Sequence, residues 1–175
     1  MKYSFAGLWI RTLAFLVDFI LIAIYLSAIV VISVALNFIY PIATRALFAN
    51  PVSSQITGFL TITLPITFYF ALFESSSWQA TYGKRKMGLR VIRTDGAPMS
   101  RARALGRSAL KFIPWELAHT CIWQISFHPQ TASPIIYVGF IVVWVLIGLN
   151  ILSLLVSKSH QTLYDWFAHS FVVKA

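Results

Sequence analysis

A long apolar stretch near the N-terminus most constrains what this chain can fold into. From Thr12 to Leu36 the sequence has 25 residues and a single ionisable side chain, Asp18. About 20 apolar residues in a helix cross the hydrocarbon core of a bilayer, so this stretch predicts a membrane-spanning helix with some tilt. Arg11 lies at its start, where a long cationic side chain can reach the interface, whereas Asp18 is too short to do so.

The composition favours a protein that is built for lipid. The chain has 175 residues, of which 58% are hydrophobic and 11% charged, and its mean hydropathy is +0.76. Soluble domains carry about 25% charged residues, and a single domain over 1–175 is expected at this length. Cys121 is the only cysteine of the sequence, so an internal disulfide is excluded.

Hydropathy and charge predict an all-α membrane protein with four transmembrane helices, at about 12–37, 56–76, 105–127 and 134–157. The third is weak, because its apolar part is short and contains Glu116 and His119; it either crosses the membrane or is re-entrant. Crossing is favoured because the C-terminal tail then lies on the same side as the basic segment. Pro65 lies near the middle of the second predicted span, where a membrane helix tolerates a kink if neighbours satisfy the freed carbonyl.

Positive charge is concentrated between the second and third predicted spans. The net charge of the whole chain is +9, and nine of its fourteen basic residues lie between Lys84 and Lys111. This clustering predicts a cytoplasmic segment, with both termini on the same side, rather than a nucleic-acid partner. The segment is predicted to bind anionic lipid of the inner leaflet or a protein partner through six residues: Lys84, Arg85, Lys86, Arg103, Arg107 and Lys111.

The basic segment also contains turn and cap signals. Asp95-Gly96 predicts a hairpin turn, and Ser100 is a good N-cap for an amphipathic helix that follows it. The short β-like run at Val91–Arg93 is expected to pair with the similar run at Phe171–Val173.

The few acidic residues of the chain lie mostly where a carboxylate is costly. Asp18, Glu116 and His119 fall within apolar segments and form a candidate proton or ion site. Arg11, Glu74 and Asp165 are expected at similar depth, as a charge network in which Arg11 contacts at least one carboxylate. For the Glu116–His119 pair, two alternatives stay open: a packing or ion-pairing role, and a metal site that would need a second copy of the motif. We predict no metal and no cofactor.

The joint pattern resembles the RDD family of small bacterial membrane proteins. The resemblance rests on the Arg and Asp of the first span, on ATYGKRKMGLRVIRTDGAPMSRARALGR, and on QTLYDWFAHSFVV near the C-terminus. It implies that Arg11, Asp18 and Asp165 are the signature arginine and two aspartates. The family usually ends in Gly-Thr-Val-Val, whereas this chain has His-Ser-Phe-Val-Val at His169–Val173, which is a local departure from the family pattern. Membership implies a multi-span protein of the bacterial cytoplasmic (inner) membrane that is suspected of transport.

Two functional hypotheses follow from the sequence. The first is a transporter or ion- or proton-coupled permease subunit that uses the intramembrane carboxylates. This hypothesis calls for a homo-oligomer, because four spans from one chain form only a thin wall around a transport pathway. The second is a non-transporting accessory or scaffold protein that binds anionic lipid or a protein partner. No motif typical of an enzyme is present in the sequence, so catalysis is not expected.

Overall fold

The computed structural model describes residues 3–131 and 133–175, and most of them are helical. The elements in chain order are α1 (Leu8–Ile39), α2 (Pro41–Leu47), α3 (Pro51–Gly58), a π-helical turn (Phe59–Thr63), α4 (Leu64–Glu74), α5 (Tyr82–Lys86), β1 (Leu89–Arg93), α6 (Arg101–Phe127), α7 (Pro134–Val156), α8 (Leu163–Phe167) and β2 (Ser170–Lys174).

Three helical stretches in the described residues are long and apolar enough to cross a membrane: α1, the continuous stretch Pro51–Glu74, and α7. The chain is therefore a mostly helical membrane protein. The third predicted span lies within α6, which is one uninterrupted helix that contains Pro114. The helix α6 is not among the three apolar stretches, and a fourth crossing stays a prediction.

The connection between the first two predicted spans is mostly helical. Pro41 and Pro51 occupy the first turns of α2 and α3, where the missing amide hydrogen of proline costs nothing. The Asn50 side chain caps α3 by accepting a hydrogen bond from the Ser53 amide at 2.9 Å. Because of this N-cap, the second helical stretch begins at Pro51 and not at the predicted residue 56.

Pro65 distorts the second helical stretch as predicted. Proline cannot donate to the Thr61 carbonyl, and the helix makes a π-helical turn just before it, in which the Leu64 amide bonds to the Phe59 carbonyl. The hydroxyl of Tyr25, on α1, donates to the Thr61 carbonyl at 2.5 Å. A neighbouring helix therefore satisfies the freed carbonyl, which is the condition under which a membrane helix tolerates such a proline.

One end of the helix bundle is covered by a small cap, which we define as α5, β1, α8 and β2. Strands β1 and β2 pair antiparallel, with Val91 opposite Val172 and Ile92 opposite Phe171, so the predicted strand pairing is confirmed. The turn at Asp95-Gly96 forms as well, although its second arm makes a single bridge, between Ile92 and Pro98. A core of small and aliphatic side chains joins the cap to the helices: Ala6, Ala14, Ala71, Leu89, Val91, Met99, Ala104, Ala168 and Val172.

Candidate functional site

Arg107, on α6, is the centre of a buried network of ion pairs. Its guanidinium donates to Asp165 Oδ1 from Nε at 2.9 Å and from Nη2 at 2.5 Å, and to Glu74 Oε2 from Nη1 at 2.6 Å. The Arg107 side chain is 2% exposed and both carboxylates are fully buried. Buried charges are tolerated when they are paired and hydrogen-bonded, so Arg107 joins the end of α4, the helix α6 and the start of α8.

Arg11 and Lys84 complete the network around the same two carboxylates. Arg11 donates to Asp165 Oδ2 at 2.6 Å and also to the carbonyls of His160 at 2.6 Å and Ala6 at 3.0 Å. The Lys84 ammonium forms an ion pair with Glu74. Burial acts to raise the pKa of Asp165, but the charges of Arg107 and Arg11 outweigh it and hold that pKa below its usual range.

The structure thus brings together Arg11, Glu74 and Asp165, the three residues that the sequence assigned to a charge network. Arg11 contacts Asp165 as expected, and Glu74 joins through Arg107. The sequence reasoning missed Arg107, which it assigned to an exposed lipid-binding face. One signal could have identified it. The predicted network had two carboxylates, Glu74 and Asp165, but only one cation, Arg11, so a second cation was needed.

The predicted basic surface needs correction at two of its residues, Arg107 and Lys84. Arg107 is buried, and the side chain of Lys84 is only 12% exposed. Both turn inward because Glu74 and Asp165 lie behind them. Burial lowers the pKa of Lys84, although Glu74 acts against this change. The other four residues of the predicted set divide into the exposed Arg85 and Lys86 and the half-buried Arg103 and Lys111.

Asp18 holds the cap against α1. Its carboxylate accepts hydrogen bonds from the Tyr69 hydroxyl at 2.8 Å, the Thr81 hydroxyl at 2.6 Å and the Gly83 amide at 2.7 Å. Gly83 permits this close approach, since a Cβ built on it would lie 2.0 Å from the Ala14 carbonyl oxygen. With three donors around it, Asp18 is placed to anchor the first turn of α5.

Glu116 and His119 lie at a separate place in the bundle. Glu116 accepts a hydrogen bond from Gln55 Nε2 at 2.5 Å and another from the Thr63 hydroxyl, so it joins α6 to α3 and the π-helical turn. His119 Nδ1 is 3.6 Å from Glu116 Oε1. The structure therefore does not join these two residues to Asp18. Within the described ranges, no three His, Cys, Asp or Glu side chains are arranged to hold a metal ion.

A cavity of about 550 Å³ lies beside the ion-pair network, between α1, α6 and α7, and is partly open to its surroundings. Its charged lining residues come from α1, α5 and α6 and lie near the cap: Arg11, Asp18, Lys84, Arg107 and Lys111. The rest of its wall is mainly apolar and continues along α7 from Leu154 to Val143. The arrangement can bind a solute that has both a polar and an apolar part.

Comparison with known proteins identifies the family to which the chain belongs. YxaI, an uncharacterised protein of Bacillus subtilis (strain 168), is 27% identical over 114 residues, which cover 58% of this chain and 72% of YxaI. No solved structure matches the chain at a significant level. The RDD family matches residues 5–169, nearly the whole chain. The residues that the family resemblance identified, Arg11, Asp18 and Asp165, all lie within this match; Asp165 is in the cap, and Arg11 and Asp18 contact the cap from α1. The chain belongs to the RDD family.

Proposed function

We propose that this protein is a transporter, or a permease subunit, whose solute occupies the cavity between α1, α6 and α7. The observation that carries the proposal is the cavity itself, about 550 Å³ and partly open, with ionisable side chains at one end. Charged groups inside a membrane bundle are costly and often mark a pathway for ions or solutes.

The path of α6 supports a fourth crossing. Along its length α6 contacts the second helical stretch at two levels, where Arg107 pairs with Glu74 and Glu116 bonds to Thr63. At a third level, just before that stretch, the ring centroids of Trp123 and Phe48 are 6.2 Å apart. Glu74 ends that stretch and Phe48 precedes it, so α6 covers the same depth. We therefore propose four spans, with the cap and both termini on the cytoplasmic side of the bacterial inner membrane.

Topology is testable with reporter fusions at Asn50 and Gln130. Both positions should report an external location, because α1 and α6 each end near them on the side away from the cap. A fusion at Ala175 should report a cytoplasmic location. A cytoplasmic signal at Gln130 would contradict the fourth crossing and make α6 re-entrant.

We propose that the Glu116–His119 pair, and not Asp18, carries any coupled proton. Glu116 and His119 are adjacent on α6, with His119 Nδ1 3.6 Å from Glu116 Oε1, and such pairs of side chains form proton relays in membrane proteins. Asp18 already accepts three hydrogen bonds that position α5, so its substitution would alter the fold as well as any flux.

The transport proposal is tested by reconstitution into liposomes that contain a pH-sensitive dye. Wild-type vesicles should dissipate an imposed pH gradient faster than empty vesicles, and Glu116→Gln should slow them. Asp95→Asn is the matched control, since Asp95 is an exposed carboxylate in a turn. Dissipation no faster than in empty vesicles, for a protein that remains folded, would contradict transport.

The alternative function, a non-transporting accessory protein, is favoured by a different surface. Arg85 and Lys86 are exposed on the cap, and the Arg85 guanidinium lies 4.0 Å from the Trp78 ring centroid. Basic and aromatic side chains together suit the anionic interface of a membrane.

We also propose that the chain forms a homo-oligomer, which cross-linking in native membranes would detect as a dimer or larger band.

A further inference from the structure

We propose that the cavity binds an anionic lipid, with its phosphate at the ammonium group of Lys111 and its acyl chain along α7. The inference deepens the proposed function, because it names the class of solute that the cavity accepts. It rests on the placement of Lys111, on the charge of the lining and on the form of the apolar wall.

Lys111 is the cavity cation that lacks a carboxylate partner. Arg11, Lys84 and Arg107 each form an ion pair with Glu74 or Asp165, whereas Lys111 has no hydrogen bond or ion pair to any residue in 3–131 or 133–175. Its Nζ instead lies 3.3 Å from the centroid of the Phe70 ring, 5.2 Å from that of Phe112 and 5.4 Å from that of Phe15. Aromatic rings attract a cation but bring no negative charge to the site.

The charges at this end of the bundle do not balance. Four cations stand against three carboxylates: Arg11, Lys84, Arg107 and Lys111 against Asp18, Glu74 and Asp165. The three carboxylates are all engaged with other donors, so none is available to Lys111. One positive charge is left over, and an unpaired charge in an apolar environment is costly. A ligand with one negative charge would compensate it.

The apolar wall favours a ligand with an acyl chain over a small soluble anion. The α7 lining extends from Leu154 to Val143, which is about 16 Å at the rise of an α-helix. Phe15, Trp115 and Ile151 line the cavity and are 42%, 46% and 43% exposed, on helices that we treat as membrane-embedded. A lipid could therefore enter sideways from the bilayer, with its tail against these residues and its phosphate near Lys111.

Lipid binding can be measured by thermal unfolding of the full chain in neutral detergent micelles. The added probes are phosphatidylglycerol, phosphatidylcholine and inorganic phosphate, at equal concentrations. A ligand that binds the native state raises the unfolding temperature with its concentration. Phosphatidylglycerol should raise it, and the other two probes should have little effect, since one lacks net charge and the other lacks a tail.

Lys111→Met is the decisive variant and Lys158→Met is its control. Lys111→Met should fold, because it removes an unpaired charge, and should weaken the response to phosphatidylglycerol about tenfold in concentration. Lys158 is an exposed cation between α7 and α8 and does not line the cavity, so Lys158→Met should respond as wild type does.

Three results would overturn the inference. Equal stabilisation by phosphatidylcholine would show that charge is irrelevant, and equal stabilisation by inorganic phosphate would assign the site to a soluble anion. If Lys111→Met responds to phosphatidylglycerol as the wild type does, the lipid binds at another surface. Because unfolding reports binding and not flux, a protein that binds lipid without transport would contradict only the proposed function.

Discussion

Replacing Arg107 by methionine tests whether the buried ion pairs hold the cap on the bundle. The substitution keeps most of the side-chain volume and removes three hydrogen bonds to Glu74 and Asp165. Removing one partner of a buried pair typically costs about 3–5 kcal/mol. Glu74 keeps Lys84 and Asp165 keeps Arg11, so the lower end, about 3 kcal/mol, is expected here.

Thermal unfolding in detergent provides the measurement. For a chain of this size a loss of about 3 kcal/mol corresponds to a decrease of about 6–12 °C in the unfolding temperature. Arg103→Met is the matched control, because Arg103 lies one turn earlier on α6 and forms no ion pair with the part of the chain that the structure describes. The control should change the unfolding free energy by about 0.5 kcal/mol or less.

A double substitution separates the ion pair from simple packing. If Arg107 acts through Glu74, then Arg107→Met should cost less in a Glu74→Gln background than in the wild type, by about 0.5–3 kcal/mol. A cost for Arg107→Met no larger than that of Arg103→Met, or strict additivity with Glu74→Gln, would refute the role of the network.

Three further predictions concern the cap, the network and the kink. Gly83→Ala should destabilise the protein or displace α5 from α1, because the new Cβ would meet the Ala14 carbonyl, whereas Gly106→Ala, with no atom within 4 Å, should be neutral or stabilising in the same thermal assay. The lowered pKa of Asp165 predicts stability that is present above about pH 4 and lost on further acidification, and unfolding from pH 6 to pH 3 should show a smaller loss in Asp165→Asn. Tyr25→Phe should cost about 1–3 kcal/mol by leaving the Thr61 carbonyl unsatisfied, which chemical unfolding can detect.

Local patterns in the sequence were sufficient for much of the fold. The β-branched runs at Val91–Arg93 and Phe171–Val173 predicted their own pairing, because strand propensity and a shared membrane side leave few other partners. Pro65 predicted its kink, because the loss of one amide hydrogen is a property of that residue alone. Asn50 and Pro51 are a helix-start signal that hydropathy does not contain, so the boundary predicted from the apolar run is wrong by five residues.

The site was harder to predict, because it depends on contacts between distant segments. Glu116 and Asp18 both lie in apolar segments, and the sequence grouped them for that reason alone. In the structure Glu116 bonds to Gln55 and Thr63, while Asp18 bonds to Tyr69 and Thr81, so each has its own set of donors. Hydropathy indicates that burying a carboxylate is unfavourable, but it does not identify the polar side chain that compensates the burial by a hydrogen bond.

The error at Arg107 has a physical cause that applies to other membrane proteins. Arg103, Arg107 and Lys111 repeat every four residues, a spacing that predicts one continuous basic face. Amphipathic spacing says which residues share a face, but the charge of the surroundings decides whether that face is solvated. Glu74 and Asp165 are fully buried and come from outside α6, and Arg11 and Lys84 each reach only one of them. A cation that reaches both carboxylates stabilises the end of the bundle, and Arg suits this position because its planar fork can donate in two directions at once, which the compact ammonium of lysine does less well.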